Sequence, residues 1–163
     1  MAAMIGKKRV YIVSMILGTI LSVAYYFLEK DQITLMFVFQ ALCNFAVGPA
    51  MAMMWSMYAD TADYSEWKNG RRATGLIYSS ANFAQKFGWS IGGAIAGYLL
   101  AYFGFVANVT ASPETERGIR ILFSLMPAIW SFIALIALFF YQLDEKKVYD
   151  INMELSALKA KKT

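Results

Sequence analysis

Long apolar stretches alternate with short charged ones along this chain. The apolar segments are residues 10–28, 33–58, 73–105 and 119–143. Each is close to or longer than the ~20 residues that a helix needs to cross a bilayer. The pattern predicts an all-α membrane protein with four transmembrane helices.

The last segment, 144–163, is polar and predicts a tail outside the membrane. Its apolar residues recur at helical spacing on one side, which predicts a short amphipathic helix in the cytosol or on the membrane surface. These residues are Val148, Ile151, Leu155 and Leu158.

The composition supports a polytopic membrane protein, because 59% of the 163 residues are apolar and only 16% are charged. The chain has no histidine and one cysteine, Cys43, which argues against a disulfide framework, a soft-metal site and an intramembrane enzyme. The net charge of +4 is divided among segments that flank the spans, so it does not indicate a nucleic-acid partner.

The basic residues predict the orientation of the chain in the membrane. Counted by side of the membrane, eleven lie on one side and three on the other. The eleven are Lys7, Lys8, Arg9, Lys68, Arg71, Arg72, Lys146, Lys147, Lys159, Lys161 and Lys162, and the three are Lys30, Arg117 and Arg120. Because cytoplasmic loops carry the excess of lysine and arginine, both termini and segment 60–72 are predicted to be cytoplasmic.

Segment 60–72 is the most charged part of the chain and is predicted to be a loop at the membrane surface. Its acids are spaced three residues apart and are followed by bases. They are Asp60, Asp63, Glu66, Lys68, Arg71 and Arg72. We expect a charge network in which the bases reach acids on neighbouring segments. Two alternatives remain open, namely a bound cation and a simply solvated loop.

Lys86 is the one charge within the third apolar run, residues 73–105. A charge at mid-membrane costs at least ~2.5 to 3.5 kcal/mol on insertion scales, so Lys86 must face water, a carboxylate or a ligand. Polar side chains accompany it at helical spacing, and further polar residues lie on the second span. They are Ser79, Asn82, Gln85 and Ser90 around the lysine, and Gln40 and Asn44 on the second span. This pattern indicates a polar-lined pathway. For Lys86 the alternative is an ion pair with an acid from elsewhere, and for the stripe on the second span it is close packing against another helix.

A row of small residues on the third span, at four-residue steps, predicts close packing against another helix. The row is Ser80, Ala84, Gly88, Gly92 and Ala96, with Gly93 beside it. Self-association through this row would suit a free-standing four-span scaffold or small pore, which is the rival interpretation.

Several motifs resemble those of the glycoside-pentoside-hexuronide:cation symporters, a family of the major facilitator superfamily. The resemblance is carried by residues 59–76, Tyr78-Ser, Phe83, the run 85–88 and Gly92-Gly-Ala94. Further similarity at residues 6–8, 118–120 and 143–146 extends it over the whole chain.

The resemblance implies twelve spans in two halves, of which this chain would supply the last four over residues 1–143. The N-terminal spans of the same carrier and membrane lipid would then be its partners. It also implies uptake of a sugar or glycoside coupled to H+, Na+ or Li+ in a bacterial inner membrane, with no cofactor and no catalytic residue. Lys86 matches a lysine near the sugar and cation, whereas Asp60, Asp63, Glu66 and Arg72 match a charged loop that couples conformations.

Overall fold

The computed structural model describes residues 6–29 and 31–160, and these form five helices without a strand. The helices are α1 (Lys7–Tyr25), α2 (Ile33–Asn69), α3 (Thr74–Tyr102), α4 (Pro113–Phe139) and α5 (Glu145–Ala160). The prediction of an all-α fold is thus confirmed for the described residues. Lys30, Lys161 and Lys162, which entered the count of basic residues, lie outside them.

Three of the described helices, α1, α2 and α4, are long and apolar enough to cross a membrane by length and composition. Helix α3 has 29 residues, which is sufficient length, but glycine and polar side chains dilute its hydropathy. Its crossing, and with it the count of four spans, stays a prediction.

Helix α2 corrects the predicted boundary of the charged loop. Instead of ending near residue 58, it continues to Asn69, so most of segment 60–72 is helical. Gly70 ends the helix in a left-handed conformation, with φ 67° and its N–H donating to Glu66 O at 2.9 Å. At 1.5 Å per residue, 37 residues extend about 55 Å, well beyond the ~30 Å hydrocarbon core. The hydropathy of the sequence indicates where the apolar, lipid-facing part of α2 ends, whereas Gly70 determines where the helix itself ends.

Helix α4 begins six residues earlier than the predicted span, at Pro113 rather than 119. Ser112 caps it, because its Oγ accepts a hydrogen bond from Thr115 N at 3.2 Å. Proline at the first helical position and Glu114 in the first turn also favour a start here. The Thr115 hydroxyl donates to Phe103 O at 2.8 Å and ties this end of α4 to the end of α3.

Helix α1 lies between α2 and α4 and packs along both. Its small buried residues, Ser14 and Gly18, permit a close approach, and a Cβ added at Gly18 would lie 2.6 Å from a Val47 methyl. Helix α3, by contrast, has no buried residue. The α1–α2–α4 group therefore forms the core, and α3 leaves most of its surface uncovered by the described chain.

Helix α5 folds back on the end of α2. Two of its predicted apolar residues are buried, since Ile151 and Leu155 are 4% and 7% exposed. Val148 is half-buried, and Leu158 is 53% exposed. A helix forms within the predicted tail, while its amphipathic character and its location in the cytosol or on a membrane surface stay predictions.

Candidate functional site

An ion pair joins the start of α1 to the charged end of α2. Lys7 Nζ lies 2.8 Å and 2.7 Å from the two carboxylate oxygens of Asp60. The Asp60 side chain is only 8% exposed, whereas that of Lys7 is 34% exposed. A carboxylate this deeply buried needs a partner, and Lys7 supplies both hydrogen bonds. In the sequence Lys7 is one of the basic residues that predict orientation, and no local spacing indicates its pairing with Asp60.

One turn further along α2, two more acids are paired. Arg72, just beyond the helix, reaches back to Asp63 at 2.8 Å and lies 3.9 Å from Glu66. Lys159 of α5 contacts the other oxygen of Glu66 at 2.9 Å. Glu66 Oε2, which faces Arg72, has no hydrogen bond that meets distance and angle criteria within the described residues. Glu66 is thus shared between two bases from different parts of the chain.

Helix α5 makes further polar contacts with the end of α2. Trp67 Nε1 donates to the Glu154 carboxylate at 2.6 Å. Two ammonium groups lie near the centroid of the Tyr64 ring, that of Lys147 on α5 at 5.5 Å and that of Lys68 on the same helix as Tyr64 at 5.7 Å. These contacts, together with burial of the apolar residues of α5, hold the tail against α2.

The connection that follows α4 completes this region. Lys8 Nζ donates to the Tyr141 carbonyl at 2.7 Å, and the Tyr141 ring lies 6.0 Å from the same nitrogen. The pKa of the Tyr141 hydroxyl is raised to about 12, chiefly by burial and also by the negative charge of Asp60, against a smaller lowering effect of Thr61. Tyr141 therefore stays neutral beside the Lys7–Asp60 pair at ordinary pH.

These contacts place four segments at one end of the helix group: the start of α1, the end of α2, the connection after α4, and α5. The three segments predicted to share the cytoplasmic side therefore lie together. Which compartment this end faces stays a prediction. We call Lys7, Asp60, Asp63, Glu66, Arg72 and Lys159 the charged cluster.

The cluster differs from the expected network in two ways. Arg72 pairs with acids of the helix that precedes it rather than with acids on a neighbouring segment, because Gly70 turns the chain back along α2. Arg71 is exposed, and its side chain makes no ion pair with a described residue. The partners from other segments are Lys7 and Lys159, which lie too far along the chain for local spacing to reveal them.

Among the described residues, no group of three or more histidine, cysteine or acidic side chains is placed to hold a metal ion. The acids at the end of α2 instead form ion pairs with lysine and arginine side chains.

The polar face of α3 is open. Lys86 and Asn82 are exposed, Gln85 is half-buried, and the Lys86 side chain has no hydrogen bond or ion pair with a described residue. The hydroxyl groups of Ser79 and Ser90 form hydrogen bonds within the helix. Ser79 Oγ donates to Leu76 O and Ser90 Oγ donates to Lys86 O, both at 3.0 Å. On a helix that crosses a membrane, a lysine in this state must meet water, a carboxylate or a ligand beyond the described residues.

On α2, Asn44 Nδ2 donates to Gln40 O at 2.8 Å, and both residues are exposed. In the described residues no hydrogen bond joins them to α3. The glycines of the small-residue row, Gly88 and Gly92, and the adjacent Gly93 have no atom within 4 Å of an added Cβ. The packing predicted there therefore awaits a partner other than the described chain.

Comparison with known proteins identifies what the chain is similar to. A family model described as MFS/sugar transport protein matches residues 1–145. A "Glucuronide carrier protein homolog" of Escherichia coli (strain K12) is 34% identical over 155 residues, which cover 95% of this chain and 34% of that protein. A "Putative glycoside/cation symporter YagG" of the same organism is 32% identical over 138 residues, covering 84% of this chain and 30% of that protein.

A "Putative sulfoquinovose importer" of Escherichia coli (strain K12) is 32% identical over 157 residues, which cover 96% of this chain and 33% of that protein. The chain thus spans about one third of the length of these curated relatives. No solved structure matches it significantly.

Proposed function

Because the chain belongs to the MFS/sugar transport protein family, we propose that it forms the last four spans of a secondary active transporter that couples a sugar or glycoside to a cation. The relatives support this proposal by their names, which include a glucuronide carrier homolog and a glycoside/cation symporter. The coupling cation would be H+, Na+ or Li+, and the protein would reside in a bacterial inner membrane with both termini in the cytoplasm.

The observation that carries the proposal is the exposed polar face of α3. A transporter of this kind holds its substrate between two halves near the middle of the membrane, where polar groups are tolerated because they line a cavity. Lys86 lies twelve residues into α3, about 18 Å along it, with Asn82 and Gln85 close by. These side chains offer donors and acceptors to hydroxyl groups. A cationic lysine beside them would repel a metal cation unless carboxylates from the other spans complete the site.

The charged cluster supports the second half of the proposal, which is alternating access. Coupling requires that empty and fully loaded carriers change orientation while singly loaded carriers do so poorly. Ion pairs at one membrane face that form in one orientation and break in the other bias this equilibrium by a few kcal/mol. Glu66, shared by Arg72 and Lys159, has the geometry for such an exchange.

The proposal is tested by uptake into liposomes that contain the purified protein together with the remaining spans. Labelled glucosides, galactosides, pentosides and glucuronides are offered under an inward Na+ or proton gradient. We expect one class to accumulate and to leak out when an ionophore collapses the gradient.

A matched preparation of the 163-residue chain alone is the control, and it should not accumulate any of these sugars. Uptake by the complete protein that equilibrates without accumulation would contradict coupling. Accumulation by the chain alone would contradict the assignment to part of a two-half carrier.

A further inference from the structure

A groove between α1 and α4 has a volume of 520 Å³ and is lined almost wholly by apolar side chains. Ile12, Ile16 and Ile20 form one wall, and Phe132, Ile136 and Phe139 form the other. Several of these side chains are exposed, from 45% for Ile16 to 83% for Phe139. Both helices are among those apolar and long enough to cross a membrane, so the groove runs along a surface that lies at the depth of lipid.

We propose that this groove binds an anionic phospholipid, with one acyl chain between α1 and α4 and the phosphate at the basic start of α1. The proposal depends on membrane insertion but not on the transported solute. It differs from the proposed transport site, which lies on α3.

The length of the groove suits an acyl chain. From Lys8 to Ile20 the lining covers thirteen residues of α1, and the twelve helical steps between the two ends extend about 18 Å. One leaflet supplies about half of the ~30 Å hydrocarbon core, or roughly 15 Å. A chain lying along α1 would thus place its glycerol and phosphate close to Lys8.

Charge at the mouth of the groove selects the headgroup. Lys8 Nζ uses one donor for the Tyr141 carbonyl, and an ammonium has three. Arg9 is exposed and has no partner among the described residues. Lys7 is neutralised by Asp60, and the Glu145 carboxylate lies against Gly6. The bases Lys7, Lys8 and Arg9 together with these two acids therefore leave one net positive charge at the start of α1. Basic pockets between helices on the cytoplasmic side favour anionic lipid headgroups for this reason.

The walls of the groove argue against a protein helix as the occupant. Helices in membranes approach each other through glycine, alanine and serine. On α1 the small residues Ser14 and Gly18 are buried, and Gly18 lies against Val47 of α2 rather than in the groove. The one polar side chain midway along the groove, Thr19, donates to Met15 O at 2.7 Å and needs no further partner. Branched and aromatic walls fit a flexible hydrocarbon chain better than a backbone.

The test uses two lipids with a photoactivatable group in the acyl chain, one with a phosphatidylglycerol and one with a phosphatidylcholine headgroup. The membrane-embedded protein is irradiated with each, and crosslinks are mapped by mass spectrometry. We expect phosphatidylglycerol to label Ile16 and Ile136 at least about fivefold more than phosphatidylcholine does, from about 1 kcal/mol of attraction per nearby base. Val13 and Leu17, exposed on α1 outside the groove, should show no such preference.

Paired variants separate the headgroup from the acyl chain. Lys8→Gln combined with Arg9→Gln should abolish the preference, while Lys68→Gln, which removes one charge from the end of α2, should preserve it. Ile16→Trp should reduce labelling at Ile136 by both lipids, and Leu17→Trp should not.

Equal labelling of Ile16 and Ile136 by phosphatidylglycerol and phosphatidylcholine in the unaltered protein would overturn the proposal, since the groove would then contact bulk lipid without selecting a headgroup. A preference that survives loss of both bases would overturn it as well. Absence of labelling at Ile16 and Ile136 by either lipid would do the same, because another protein segment would fill the groove. The ratio in the unaltered protein decides the question even if a variant fails to fold.

Discussion

Removing Lys7 leaves a buried carboxylate without its partner, and the structure allows the cost to be estimated. In Lys7→Met the side chain keeps much of its length but loses the two hydrogen bonds to Asp60, at 2.7 Å and 2.8 Å. Breaking a fully buried pair costs about 3 to 5 kcal/mol, whereas exposed pairs contribute only about 0.2 to 1 kcal/mol. Asp60 is 8% exposed and Lys7 is 34% exposed, so we expect an intermediate loss of about 2 kcal/mol.

A double-mutant cycle isolates the pair from other effects of the two substitutions. Asp60→Asn removes the charge but keeps the shape, and the double variant contains neither charge. We expect the double variant to be more stable than the sum of the single losses predicts, by about 1 to 2 kcal/mol, because no unpaired charge is left. Lys68→Met, which removes an exposed lysine from the same end of α2, is the matched control and should cost less than about 0.5 kcal/mol.

The assay is denaturant unfolding of the purified protein in mild detergent at neutral pH, followed by loss of helical circular dichroism. Two results would refute the reasoning. One is a Lys7→Met loss no larger than that of Lys68→Met, and the other is strict additivity in the cycle. Either would mean that the ion pair is not formed or that Asp60 finds another partner.

The remaining predictions concern the end of α2 and the topology. Gly70→Ala should destabilise the protein by about 1 kcal/mol in the same unfolding assay, because alanine is strained at φ 67° even though nothing crowds its Cβ. Gly75→Ala, also uncrowded but without a positive φ, should be neutral or slightly stabilising, and equal losses would argue against the left-handed cap. In a Cys43→Ser background, Ser112→Cys should react with an impermeant thiol reagent added outside intact cells and Ser156→Cys should not. The reverse pattern would invert the topology.

The apolar pattern located the helices of the core, because membrane insertion depends on hydropathy summed over about twenty residues. It misplaced the helix ends, since these depend on local capping. Asn69-Gly70 and Ser112-Pro113 carried capping signals that would have moved the end of α2 and the start of α4 to their observed positions.

The spacing of residues along the sequence could not predict which residues pair within the charged cluster. Lys7 and Asp60 are 53 residues apart in sequence and meet only because α1 packs along α2. Lys159 reaches Glu66 because α5 folds back on the same end. The three-residue spacing of the acids predicted only that they lie on one side of a helix. Residues of α3 could be assigned to a polar face but not to a partner, because this chain supplies none in its described part.

We propose that the polar face of α3 belongs to a coupled transport pathway, and substitution of Lys86 tests this proposal directly. Gradient-driven accumulation of the transported sugar is measured in complete carriers with Lys86→Ala, Lys86→Arg or the control Lys68→Ala, purified at equal expression and compared by thermal unfolding. We expect Lys86→Ala to lose accumulation with an unchanged melting temperature, while Lys68→Ala accumulates normally. Normal accumulation in Lys86→Ala would contradict the claim. So would a loss that coincides with a much lower melting temperature and is restored by removing an acid partner, because Lys86 would then serve a structural ion pair.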